Sequence, residues 1–197
     1  MQPSDVASII VSIFSLLVSS FVAYRTLLWK FVGKVWYANA IVLTHIDGIP
    51  SIGIACFAEN KGAQPGYLED IRLEVVHTQT GSKYLFYPML VRDDYNIFES
   101  YTASAWYPFS GFYLIPRDSI SEYVLFKPQN DRFAAEAGDY KIHMQVRWRN
   151  QTNWELLSSA INITINVEIA SMWNDPDAPA YQVFSEQILE RRNLFGG

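Results

Sequence analysis

Residues 138–149 read GDYKIHMQVRWR, and their alternation decides the fold. Tyr140, Ile142, Met144, Val146 and Trp148 share one face of an extended chain, while Lys141, His143, Gln145, Arg147 and Arg149 share the other. This is the pattern of a strand with one buried side. The same period recurs on either side of it. Residues 35–46 (VWYANAIVLTHI), 51–59 (SIGIACFAE), 68–78 (LEDIRLEVVHT) and 83–91 (KYLFYPMLV) read as strands separated by DG, NKGAQPG and TGS turns. Residues 121–127 and 158–170 continue the series, which gives about seven strands and no crossover helix.

A Gly-Asp-Tyr entry into such a strand resembles the tyrosine corner of immunoglobulin-like sandwiches, in which the Tyr hydroxyl bonds back to the backbone of the preceding loop. The expected fold is therefore all-β, an Ig-like antiparallel β-sandwich. The Cys-Trp-Cys hallmark of antibody domains is absent, because Cys56 is the lone cysteine. A small lipocalin-like barrel is the alternative.

Ahead of the strands the composition changes. Val6 to Tyr24 carry no formal charge, and Leu27, Leu28 and Trp29 extend the apolar run past Arg25. That length reaches the ~20 residues needed to cross ~30 Å of hydrocarbon, so residues from Val6 to about Trp29 are expected to form one transmembrane helix. The leader MQPSD has no Lys or Arg, unlike a cleaved signal peptide. Arg25, Lys30 and Lys34 follow the helix and only Asp5 precedes it, which predicts an outside N-terminus and a cytoplasmic C-terminal domain. A lone cysteine agrees with a reducing compartment. The expected organisation is residues 1–34 for the helix and its basic flank, 35–173 for the sandwich, and 174–197 for a linker and short C-terminal helix. In that helix Tyr181, Phe184 and Ile188 recur at three and four residues.

The apolar helix is not uniform. Ser8, Ser12, Ser15 and Ser19 repeat at four-three-four spacing along one stripe, with Thr26 on the same line, and Ile10, Phe14, Leu17 and Phe21 repeat it on the opposite side. Small hydroxylated residues let helices approach closely and bond across, so the stripe predicts self-association. Serines also satisfy their hydroxyls on their own helix's carbonyls, so the stripe suits a dry interface and a pore lining equally. In a ring of subunits Asp5 would contribute carboxylates at the mouth, which favours cations.

Covalent chemistry has no visible apparatus. The chain contains no phosphate-binding loop, dinucleotide fingerprint, nucleophile elbow or HExxH, and His45, His77 and His143 fall on separate strands without metal-ligand spacing. The expectation is a non-enzyme without cofactor or metal. The middle of the chain is more distinctive, with eleven aromatics between Tyr84 and Tyr113 and no plain strand in 92–119. Aromatics such as Trp106 and Tyr107, interleaved with Arg92 and Arg117, would make a stacking platform for nucleotide bases, with Arg147 and Arg149 reaching phosphates. Packing under a long loop or at a subunit interface is the competing reading. Residues 35–197 hold 12 Lys and Arg against 19 Asp and Glu, a formal charge of −7, which excludes coating of duplex DNA and leaves local recognition of a nucleotide.

One N-terminal helix followed by a cytoplasmic all-β domain, with the sandwich-like GDYKI stretch and no catalytic motif, resembles the compact membrane effectors of bacterial anti-phage defence, as in CBASS-type and Hailong systems. The resemblance implies a β domain that senses a nucleotide or single-stranded oligonucleotide made by a partner nucleotidyltransferase. It also implies helices that assemble in the inner membrane to permeabilise it. The other expectation is a membrane-tethered scaffold that presents its sandwich to a protein partner.

Overall fold

The computed structural model describes the backbone of residues 3–92 and 106–185, and their side chains apart from residues 3–5 and 39. Helix α1 (Pro3–Ala23) continues into a π-helical turn, Tyr24–Leu28. The chain then enters the strands β1 (Gly33–Ile46), β2 (Ile49–Asn60), β3 (Gly66–His77), β4 (Lys83–Arg92), β5 (Tyr107–Pro108), β6 (Phe112–Leu114), β7 (Ser119–Pro128), β8 (Gly138–Trp148) and β9 (Glu155–Ile165). Helix α2 (Val167–Asn174) and strand β10 (Tyr181–Phe184) complete the described elements.

The fold is mostly β, but the two separate layers of an Ig-like sandwich are not what forms. Ten strands among the described residues join one continuous sheet in the order β10-β1-β2-β7-β4-β3-β8-β9, with β5 on β4 and β6 on β3. Every pairing is antiparallel. The sheet curls until its far sides meet, where the Tyr37 hydroxyl on β1 donates to the Ser159 carbonyl on β9. The result is a nearly closed barrel, the alternative that alternation alone could not separate from a sandwich. β1 and β2 are joined through Asp47 and Gly48, both at positive φ (53° and 74°), which is the two-residue hairpin geometry that Asp-Gly favours.

The strand that decides the fold behaves as its alternation requires. Tyr140, Ile142, Met144, Val146 and Trp148 are all buried, in one core with Ile41, Ile54, Leu73, Phe86 and Phe126. The Tyr140 hydroxyl donates to the Glu136 carbonyl at 2.9 Å and accepts from the Glu136 amide at 3.0 Å. A tyrosine corner is therefore present in a barrel-like sheet.

Two boundaries differ from the sequence expectation. The strand read through to residue 170 stops at Ile165, because the Asn166 side chain accepts from the Ile169 amide and caps α2. Ala170 and Trp173 then face inward at helical spacing, and the Trp173 indole donates to the Ser51 carbonyl at 3.1 Å. The helix expected near the C-terminus is, over Tyr181–Phe184, a strand hydrogen-bonded to β1, and Val183 is its buried residue. The β domain thus continues past residue 173, while Ile188 lies outside the described residues.

Replacing Tyr140 with Phe removes both bonds to Glu136 while keeping the ring, and should lower stability by about 1–2 kcal/mol. Chemical denaturation of the full chain in detergent, compared with wild type, measures it.

Candidate functional site at the helix–barrel junction

Strand direction collects one set of chain segments beside the helix. β1 begins there, β2 ends there and β3 restarts there, as the pairing of Gly33 with Asn60 requires. The pairings of Gly66 with Leu114 and Leu68 with Trp148 bring the end of β6 and the end of β8 to the same side. The helix itself is long and apolar enough over Val6–Leu28 to cross a membrane, and none of that span is buried within the chain.

The peptide leaving the helix is gripped at once. The Ala63 amide donates to the Trp29 carbonyl and the Lys61 amide to the Val32 carbonyl, each at 2.9 Å. Gly62 lies so close to the outgoing chain that a Cβ there would overlap the Lys30 carbonyl. Asn60, fully buried, shapes this grip: its Oδ1 accepts from the Gly62 amide at 2.9 Å, and its Nδ2 faces the carbonyls of Gln64 (2.8 Å) and Ile115 (3.1 Å). From the barrel side, Arg117 donates to the Arg25 carbonyl at 3.3 Å, at the helix end where free carbonyls attract a cation. Arg117 itself sits at φ 61°, a left-handed position that aims it back at the helix.

Between the grip and the barrel lip is a cavity of about 300 Å³ lined by Phe31, Pro65, Gly66, Tyr67, Tyr113, Trp148, Arg149 and Asn150. Phe31 packs edge-on against Trp148 with ring centroids 5.0 Å apart, and Gly66 has no side chain because the Phe31 ring occupies that space. The Arg149 guanidinium lies 5.7 Å over the Tyr67 ring, whose hydroxyl is bonded to the Ser110 carbonyl. An aromatic wall with one arginine can hold a small anion-bearing ligand. Sequence reasoning missed Phe31, Tyr67 and Asn60; the glycines and asparagine of NKGAQPG signalled only a turn.

The six arginines and aromatics expected to form a platform are divided among separate places. Arg92 is buried, with its guanidinium 5.8 Å from the Trp106 ring, and Trp106 tilts against Tyr123. Tyr107 is half exposed on the short β5. Arg147 is held by Glu69 (3.7 Å) and Asp70 (3.6 Å) and stacks on Trp154, so its charge is already answered. Arg149 alone of the six lines the cavity. Asp93, Asp94 and the aromatics of 95–101 lie outside the described residues.

On the helix, Ser12 donates to the Ser8 carbonyl and Thr26 to the Val22 carbonyl, both at 2.8 Å. Ser15 and Ser19 lie on the exposed surface of α1. Thr26 falls within the π-helical turn, where each residue advances less around the axis, so it departs from the line that α-helical spacing gives it. The Asp5 side chain lies outside the described residues. Burial pushes the Cys56 thiol far up from its usual range, which leaves it an inert core residue. His45 and His77 contact carbonyls of Trp173 and Ala137, and no cluster of metal-ligating side chains occurs among the described residues.

No family model matches the chain, and no curated protein does. Among solved structures, similarity extends to a family 123 glycoside hydrolase from Clostridium perfringens (8% identity, TM-score 0.37, 70% of this chain and 28% of that one). A protein from Archaeoglobus fulgidus gives 9% identity and TM-score 0.37 over 70% of this chain and 98% of that one. For β-glucosidase 3B from Thermotoga neapolitana the values are 13% and 0.33, over 82% and 19%. The chain spans under a third of the two glycosidases, and likeness at this level assigns it no activity.

Asn60→Ala leaves the Gly62 amide and the surrounding carbonyls without their partner in a buried loop. It should cost about 2–4 kcal/mol in denaturation of the full chain and raise hydrogen exchange at Lys61 to Gln64 above that of β8.

Proposed function

We propose that the chain is a homo-oligomeric effector of the bacterial inner membrane, with its N-terminus outside and its β domain in the cytoplasm, acting in anti-phage defence by conducting ions under the control of a nucleotide or single-stranded oligonucleotide. The observation that carries this reading is a helix with a serine face and a bulky apolar face, none of it buried against its own chain. A single-pass anchor surrounded by lipid gains nothing from two unlike sides. Copies of itself supply the missing partner for the serine side, and lipid covers Ile10, Phe14, Leu17 and Phe21.

Control requires that the β domain move the helix. Arg117 supports such a link, because it is exposed on the loop after β6 and also donates to the helix-end carbonyl of Arg25. A ligand phosphate that draws the guanidinium away releases the helix end. The role assigned is binding, with a partner nucleotidyltransferase as the source of the ligand.

Replacing Ser12 and Ser15 together with Leu should abolish ion flux in proteoliposomes while the barrel's near-ultraviolet dichroism is unchanged; wild-type flux in this double variant would refute the pore. Arg117→Gln should leave the oligomer intact but uncouple it, so that flux no longer changes when the partner enzyme's nucleotide product is added.

A further inference from the structure

We propose that the junction cavity seats the headgroup of an anionic phospholipid, with Arg149 as the phosphate's charge partner and the surrounding rim resting on the membrane surface. The proposal rests on the reading that α1 spans a bilayer, and it adds to that reading a second, non-helical contact with lipid.

Depth is the first support. The 23-residue span Val6–Leu28 is about 34 Å long as a helix, slightly more than the ~30 Å of a hydrocarbon core, so Leu28 stands at its boundary. Phe31 follows three residues later and lies at most about 11 Å further out, while the headgroup layer adds roughly 5–8 Å on each side of the core. The cavity wall therefore stands within the headgroup layer or at most a few ångströms beyond it, in reach of lipid headgroups.

The rim fits that level. Val32, Tyr113 and Ile115 are 38%, 58% and 50% exposed, apolar or amphipathic side chains that an interface buries and bulk water does not. Arg25, Lys30 and Arg117 stand among them on exposed positions. Acidic groups share this end: Asp118 is exposed, Glu59 is paired with Lys61, and Glu155 accepts from the Trp148 indole. Within the cavity the lining side chains include one cation and no carboxylate. Arg149 forms no ion pair with a described carboxylate, whereas Arg147, two residues earlier, is held by two. A guanidinium with no carboxylate partner in an aromatic cavity matches a phosphodiester, and the body's formal charge of −7 makes this basic rim local.

A free nucleotide carries the same phosphate, and depth and the apolar rim favour lipid. The test is native mass spectrometry of the full chain in neutral detergent, titrated with dioleoyl phosphatidylglycerol or dioleoyl phosphatidylcholine. Phosphatidylglycerol should bind more tightly, Arg149→Gln should weaken it about tenfold, and Tyr113→Ala should weaken it too, while Lys141→Gln at the far end of the barrel leaves it unchanged. Wild-type phosphatidylglycerol binding in both cavity variants overturns the proposal, as does displacement of the lipid by adenosine monophosphate. Alkaline carbonate extraction separates the two levels: release from membranes refutes the spanning helix, whereas retention with unaltered lipid binding in Arg149→Gln refutes the headgroup site alone.

Discussion

The grip of the β2–β3 loop on the four residues after the helix is the constraint from which the rest of the arrangement follows. Two backbone bonds, from Ala63 to Trp29 and from Lys61 to Val32, hold a peptide that would otherwise be a swivel. Gly62 permits the close approach, and buried Asn60 ties the loop to the β6 side of the barrel. Because the chain leaves the helix already fixed, Phe31 is delivered to Trp148, the cavity acquires its wall, and Arg117 reaches the last turn of the helix. Loosening this loop would separate the barrel from the helix in one step.

Much of the barrel was legible because a strand's period of two leaves a record in every residue. The face of β8, the hairpin at Asp47-Gly48 and the tyrosine corner at Tyr140 are all local facts, fixed by neighbours within a few positions. What alternation does not record is how far a sheet curls, so a continuous sheet and a two-layer sandwich look the same until Tyr37 meets Ser159 across 122 residues. The short β10 was misread for a related reason. Tyr181 and Phe184 suit a helix by spacing, but the unpaired edge of β1 offered backbone partners that a four-residue segment could not supply to itself.

The candidate site was less legible still. An arginine's availability depends on its neighbours in space: Arg147 and Arg149 look equivalent on the strand, yet Glu69 and Asp70 claim one and leave the other beside the cavity. Arg92 was expected to join a stacking platform for bases and is instead buried near Trp106. Arg117 was expected to meet a base and instead meets the helix, which shifts its proposed role from recognition towards transmission.

The serine stripe gives the helix two unlike sides, and among the described residues nothing covers either. Self-association is therefore the claim on which channel, control and defence all rest. The mass of the particle purified in neutral detergent tests it most directly, by light scattering corrected for bound detergent. The account predicts a protein mass that is a whole multiple, greater than one, of the 22.6 kDa chain; a protein mass of 22.6 kDa at concentrations where the protein is folded would contradict it.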